Sequence, residues 1–320
     1  VPNPPQESLA DHSVDGNDPG MQINRRKSLG ILGTGLAAGA LNPALAASKS
    51  KGPKICFFTK MFQDLSFDEL ANLTAELGVA GAEATIRPGG HIEPEAAPDE
   101  LPKMVAAMRK RGREITIMAS GINSATDKKQ RAESVLRAAA KLGVKRYRMS
   151  YYRYDPKKPL KPQLANFRSE LKELAALNRE LGIQALYQNH SGAKYVGAPI
   201  WDICDLVEDL PREAVALAFD IRHAAVEGGL AWPLHARRAL PLAGAVYVKD
   251  YVWDGLKVKN VPLGEGRVER KFFKDFKISK FQGPISLHVE YLHRTDPDVA
   301  AKGKAAHVAD LATLKKWLKG

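Results

Sequence analysis

Along most of the chain, apolar runs of four to seven residues alternate with longer stretches in which apolar residues recur every three or four positions. The first pattern is that of a buried strand, the second that of a helix with one apolar stripe. Strands are predicted to begin near Lys54, Gly81, Glu114, Lys145, Ile183, Val215, Ala243 and Gly283. They are 27 to 40 residues apart, room for a strand, a crossover helix and two loops. Between Pro162 and Leu181 the stripe is Leu164, Phe167, Leu171, Leu174, Leu177 and Leu181; in the last helix it is Val308, Leu311, Leu314 and Leu318. Ser66 and Glu69 have capping-box spacing at the start of the first helix. Four joints repeat one phrase, a helix end, a glycine and a strand: Leu77-Gly78-Val79, Arg111-Gly112-Arg113, Leu142-Gly143-Val144 and Leu181-Gly182-Ile183. Glycine closes a helix in the left-handed conformation without a Cβ clash. Eight such units predict a single-domain α/β fold, a (β/α)8 TIM barrel, over residues 54–320. An open doubly wound sheet would place a glycine-rich turn after its first strand, where this chain has Thr59-Lys60-Met61-Phe62.

The strand ends carry the chemistry. Four apolar runs break into polar clusters: Tyr187-Gln188-Asn189-His190, Asp220-Ile221-Arg222-His223, Tyr247-Val248-Lys249-Asp250 and His288-Val289-Glu290. A barrel assembles its site from the C-terminal ends of several strands, so these distant clusters are expected to meet at one mouth. Asp220 and Glu290 are the strongest candidates, because a carboxylate closing an apolar strand is expensive to keep for structure alone. Side chains alternate along a strand. Of Lys249 and Asp250, one alone should therefore enter the mouth. His288 should share a side with Glu290 one layer deeper, as a ligand of substrate or as a hydrogen-bonded core residue. Glu83, Thr85 and Arg87 also alternate, and Arg87-Pro88-Gly89-Gly90-His91 reads as a substrate loop whose arginine suits an anionic or polyhydroxy ligand. His235, His293 and His307 read as surface residues.

The leader differs from the rest. Residues 1–20 lack apolar periodicity and read as disordered or as an upstream segment wrongly included, with Met21 as an initiator. Residues 21–46 resemble a twin-arginine export signal: Arg25-Arg26-Lys27-Ser28-Leu29, a Gly/Ala-rich apolar stretch, then Ala44-Leu45-Ala46 as a cleavage site. Gly30, Gly33, Gly35, Gly39 and Pro43 make it a poor membrane helix, so the expected product is periplasmic or otherwise exported, with no stable membrane anchor. The leader holds three Lys/Arg and four Asp/Glu, so its removal raises the net charge from +12 to +13. The basic residues spread over helix faces, as in Arg109-Lys110-Arg111 and Lys271, Lys274, Lys277, which reads as a solvated surface and excludes a nucleic-acid groove. Cys56 and Cys204, one in a buried strand and one on a helix, are not expected to pair.

In the order Gln188-Asn189-His190-Ser191-Gly192, Phe219-Asp220-Ile221-Arg222-His223, Val248-Lys249-Asp250, Pro262-Leu263-Gly264-Glu265-Gly266 and Val289-Glu290, the chain from Lys54 to Gly320 resembles the xylose isomerase-like TIM barrels. These include sugar isomerases and epimerases, inosose dehydratase and type-two apurinic endonucleases. The resemblance implies a divalent metal (Mn²⁺, Mg²⁺ or Zn²⁺) held by Glu, Asp, His and Glu after strands five to eight. Asp220 and Glu290 match; Gln188 stands where the first Glu is expected and Tyr247 where the His is expected. Gln188 then serves as a weak metal ligand or binds a sugar hydroxyl, and metal binding should be weak or absent. The family's epimerases also use two glutamates as an acid–base pair, and an amide cannot take the proton. Glu290 is left as the general base, with His190, His223 and Lys249 as substitutes for the other. Arg87, Gln188, His190, His223, Tyr247 and His288 are the expected substrate-binding residues, and Asp220, Glu290 and Lys249 the catalytic ones. The implied function is an exported isomerase or epimerase moving a proton next to a carbonyl of a carbohydrate or polyol. A sugar lyase or dehydratase on the same scaffold stays open, as does a non-catalytic carbohydrate-binding barrel. An endonuclease is excluded, because the further histidines of its three-zinc cluster are missing.

Overall fold

At Gly182 the chain turns out of a 22-residue helix at φ 64°, and Gly78, Gly112 and Gly143 do the same at φ 63° to 78°. Each of the four joints therefore uses the left-handed conformation that glycine alone adopts freely. The structure is a computed structural model and describes residues 52–319. The expected leader and export signal lie outside the described residues. Strands β1 (Ile55–Phe58), β2 (Gly81–Ile86), β3 (Glu114–Ser120), β4 (Arg146–Arg148), β5 (Gln184–Gln188), β6 (Val215–Asp220), β7 (Ala243–Val248) and β10 (Ile285–Leu287) close into a parallel barrel in the order β1-β10-β7-β6-β5-β4-β3-β2. Every strand begins within two residues of its expected position.

Helices α1 (Phe67–Glu76), α2 (Ala97–Lys110), α3 (Ala132–Lys141), α4 (Leu160–Leu181), α5 (Ile200–Val207), α6 (Ile221–Gly228), α7 (Trp232–Ala239), α8 (Arg270–Asp275) and α9 (Val299–Lys319) connect and cover the strands. Ser66 and Glu69 form the capping box of α1. The middle of the α4 stripe, Leu171 and Leu174, is buried, while Leu164, Phe167, Leu177 and Leu181 pack at its margin. Among the described residues no helix is long and apolar enough to cross a membrane. Cys56 and Cys204 are both free and buried.

Val308 is exposed rather than part of the buried stripe of α9, and two further features depart from expectation. An antiparallel hairpin, β8 (Asp250–Asp254) and β9 (Lys257–Val261), rises between β7 and α8. Its alternation of polar and apolar residues is too short and too exposed to give a buried-strand signal. His307 is fully buried, contrary to its reading as a surface residue. Its ring lies against Phe57 and Phe62, and its Nδ1 donates to the Gly303 carbonyl 2.7 Å away, which satisfies one polar end inside the core.

Asp250 holds the hairpin and the loop after it. Its carboxylate accepts from four backbone N–H groups, those of Tyr251, Gly264, Gly266 and Val268, at 2.8 to 3.0 Å. A Cβ on Gly266 would lie 2.3 Å from Asp250 Oδ1 and from the Tyr251 carbonyl, so this approach requires glycine. The Pro262–Gly266 motif is thus a backbone cradle around a carboxylate.

Candidate active site

Strand alternation sets the barrel interior in layers. In the lower one, Glu83 of β2 pairs with Arg148 Nε of β4 at 3.0 Å and accepts from Ser286 Oγ at 2.6 Å and His288 Nε2 at 2.9 Å. Burial alone would raise the Glu83 carboxyl, but His288 and Arg148 hold it down to about 2. His288 stacks on Phe58 and lies beside Tyr247. Both are 1% exposed or less, and Tyr247 belongs to the packed interior with Cys56, Ile117 and Leu186. Of the two readings open for His288, it is the hydrogen-bonded core residue one layer below Glu290, and Tyr247, expected to bind substrate, is packed in the interior instead.

The residue that stands beside Asp220 and Glu290 is Lys249, next along the same face of β7. Its ammonium lies 2.6 Å from Glu290 Oε2 and 3.2 Å from Asp220 Oδ2. Burial would lower the Lys249 pKa, but Asp220 and Glu290 outweigh it and raise it. Conversely, burial would raise that of Glu290, and Lys249 with His288 holds it well below the usual carboxylate range. Both groups are therefore charged at neutral pH. Glu290 in this state is a weaker base than the sequence suggested.

Asp220 ends β6 and caps α6, its Oδ1 accepting from the His223 N–H at 3.1 Å. Asn189 pins the Asp220 backbone from both sides, donating to its carbonyl and accepting from its N–H. The other carboxylate oxygen is left for the mouth, where Gln188 Nε2 donates to it at 2.7 Å. Gln188 Oε1 is occupied by Arg148 Nη1 at 2.9 Å and the Tyr151 hydroxyl at 2.6 Å. Arg148 and Tyr151 were not singled out in the sequence. Arg148 lies in a three-residue strand, and Tyr151 in the loop beyond it.

The two histidines present opposite faces of their chemistry. Nδ1 of His223 lies within 3.1 Å of three donors, the Ser191 N–H, Ser191 Oγ and Arg222 Nη1. It must accept, so the proton sits on Nε2. That Nε2 is buried, has no hydrogen-bond partner and lies 3.7 Å from Asp220 Oδ2. Burial, then Lys249 and His190, keep the ring neutral. In His190, Nδ1 faces the Ser191 carbonyl at 2.8 Å and must donate, which leaves Nε2 with a lone pair. Burial and then Lys249 push its pKa down to about 4. His190, His223, Lys249 and Glu290 line a cavity of about 320 Å³ that Lys60 and Arg222 also enter. Arg87 is not among the residues lining this cavity; its guanidinium lies 5.6 Å above the Phe58 ring, without an ion pair among the described residues.

A divalent ion does not fit these groups. Gln188 turns its N–H₂ toward Asp220, His223 presents an N–H, and Lys249 fills the space between the two carboxylates with a positive charge. Besides His190 Nε2, the lone pairs on offer are those of Asp220 and Glu290, and both carboxylates already face the ammonium. Among the described residues no three His, Cys, Asp or Glu side chains are grouped to hold a metal.

No curated relative matches the chain. Among solved structures it is similar to a xylose isomerase domain protein from Planctomyces limnophilus, with a TM-score of 0.62 at 14% identity over 84% of this chain and 98% of that one. It is also similar to D-psicose 3-epimerase from Clostridium cellulolyticum H10, with a TM-score of 0.62 at 15% identity over 83% and 99%. A third is the protein described as the probable 3-DHS dehydratase AsbF from Bacillus anthracis, with a TM-score of 0.61 at 14% identity over 82% and 98%. At such identities the likeness is one of fold. Evidence for kinship comes from the family model described as xylose isomerase-like TIM barrel, which matches residues 71–317. With that match over most of a closed eight-stranded parallel barrel, the chain belongs to the xylose isomerase-like TIM barrel family.

Proposed function

We propose that the protein is an exported enzyme that moves a proton at the carbon next to a carbonyl of a carbohydrate or polyol, as an isomerase or epimerase. The carrying observation is the convergence at one cavity of two proton acceptors, Glu290 and His190 Nε2, with Lys249 and His223 also lining it. Glu290 follows β10 and His190 follows β5, with β7 and β6 between them in the barrel wall. They flank the mouth and take over the acid–base pair that Gln188 cannot complete. His190 is neutral at working pH, so it accepts a proton without first losing one. The Arg87 guanidinium, which has no ion pair among the described residues, and Asn260 at the cavity wall are the groups assigned to hydroxyl or anionic groups of the ligand. Names carried by relatives of this fold, an epimerase and a dehydratase, support a small oxygenated substrate and keep loss of a neighbouring hydroxyl as an accompanying outcome. Export rests on Arg25-Arg26 and Ala44-Leu45-Ala46.

The test is exchange of carbon-bound hydrogen in D₂O across a panel of ketoses, aldoses and their acids, followed by NMR. Exchange that falls about 100-fold or more in both Glu290→Gln and His190→Gln is the expected result. A panel that binds without exchanging would replace the enzyme by a carbohydrate-binding barrel.

A further inference from the structure

Proton removal next to a carbonyl leaves negative charge on the carbonyl oxygen, and something must receive it. The donors that face the mouth show what does. The Lys249 ammonium has three N–H bonds, of which one donates to Glu290, while Asp220 lies 3.2 Å away as an ion-pair partner. Donor capacity beyond these two carboxylates is left for the cavity it lines. The Nε2–H of His223 is buried without a partner and approaches the same Asp220 Oδ2 from its own side. A buried donor left unpaired carries a desolvation cost, and at the wall of a cavity a ligand is placed to relieve it.

We infer that Lys249 is a built-in replacement for the divalent ion of the family, and that its N–H and the Nε2–H of His223 form the oxyanion site of the reaction. This deepens the proton-transfer reading and rests on it for the reaction step. Nε2 of His190 takes the proton from carbon. The C–H electron pair becomes the C=C bond, and the carbonyl π pair moves to oxygen, whose charge lies against Lys249 and His223. Return of a proton to carbon restores the carbonyl, with no oxidant, reductant or ion required. The neighbouring groups fix both donors in place. Asp220 and Glu290 orient the ammonium, while Ser191 and Arg222 hold the imidazole in the tautomer that donates.

The replacement has a consequence that is independent of any substrate. Take the ammonium away and a buried carboxylate, Asp220, and a partly buried one, Glu290, are left without a counter-charge, a ready position for a dication. The experiment is calorimetric titration of the full chain, freed of bound metals, with Mn²⁺ alone and with Zn²⁺ alone. The wild type is expected to show no saturable binding at micromolar concentrations. Lys249→Ala, and Lys249→His as a second variant that supplies a ligand, are expected to bind one equivalent at least about 100-fold more tightly. Lys249→Arg should stay like the wild type. Tight binding by the wild type that disappears in Glu290→Gln overturns the inference, and that titration decides even if the alanine variant fails to fold. Folded Lys249→Ala and Lys249→His proteins that both ignore Mn²⁺ overturn it as well. Where a substrate shows exchange in D₂O, Lys249→Ala should lose it about 1,000-fold and Mn²⁺ should restore part. His223→Gln, whose amide can donate from nearly the same place, should retain more exchange than His223→Ala. A wild type that exchanges no substrate counts against the proton-transfer reading, whereas the metal titration judges the replaced ion by itself.

Discussion

Two aspartates close neighbouring parts of the barrel wall, and the structure uses them in opposite ways. Asp250, at the start of the hairpin, accepts from four backbone N–H groups and is saturated by its own loop. Asp220, at the end of β6, uses one oxygen to cap α6 and turns the other toward Gln188, Lys249 and the unpaired N–H of His223. Both are almost completely buried. Burial of a carboxylate therefore does not mark a site; what marks it is hydrogen-bonding capacity left over and aimed at a cavity. The Asp250 region buys order in a loop, while the Asp220 region holds donors ready for something that is not part of the chain.

The contrast breaks if the loop tolerates what the mouth does not. Asp250→Ala leaves four backbone N–H groups of a buried cradle without their acceptor, and is expected to destabilise the protein by about 3 to 5 kcal/mol in urea unfolding. Gly266→Ala should act in the same direction through the 2.3 Å contacts its Cβ would make. An unfolding midpoint within experimental error of the wild type in both would show that the cradle is not what orders this segment.

A pH scan sharpens the comparison, because the two regions respond with opposite sign. Asp310 anchors the same loop, accepting from the Leu263 N–H at 3.1 Å, and burial raises its carboxyl to about 6. A folded-state pKa above the unfolded value means that its contribution is full below about pH 4 and is lost as pH rises through about 6. The two-unit shift corresponds to about 2 to 3 kcal/mol, and Asp310→Asn should flatten that slope. Glu290 is held low instead, so its contribution is present above the usual glutamate pKa and disappears as pH falls below it. Glu290→Gln should remove that acid-side loss. Slopes of one sign in both regions would contradict the assignment of charges.

The smallest expected effect on stability falls at the mouth. Asparagine keeps the α6 cap but turns an N–H₂ toward the donors of Gln188 and Lys249, so Asp220→Asn should lower the unfolding free energy by about 1 to 2 kcal/mol. Exchange activity should nevertheless drop about 100-fold, as Lys249 loses one of the carboxylates that orient it. A large stability loss without an activity loss would place Asp220 with Asp250 as a structural residue.

Periodicity in the amino-acid sequence determined the barrel almost completely. Apolar runs, helix stripes and the glycine at each helix end are local properties, and the eight strand positions follow from them with errors of two residues at most. Strand-end position also sufficed to bring Gln188, Asp220, Lys249, His190, His223 and Glu290 to one mouth, since a barrel allows strand ends nowhere else. What sequence could not decide is depth and partnership. Tyr247 and Lys249 share a face, and so do His288 and Glu290; the height of each relative to the neighbouring strands alone tells which is packed and which lines the cavity. Arg148 and Tyr151 act through Gln188, 37 to 40 residues away, and no local pattern encodes that contact. His307 carried a polar label into a core that satisfies its Nδ1 through its own helix. The tertiary structure also made the choice between Lys249 and Asp250. Alternation says that one of them enters, while the four N–H groups of the 250–268 segment, assembled only on folding, claim the aspartate and leave the lysine to the mouth.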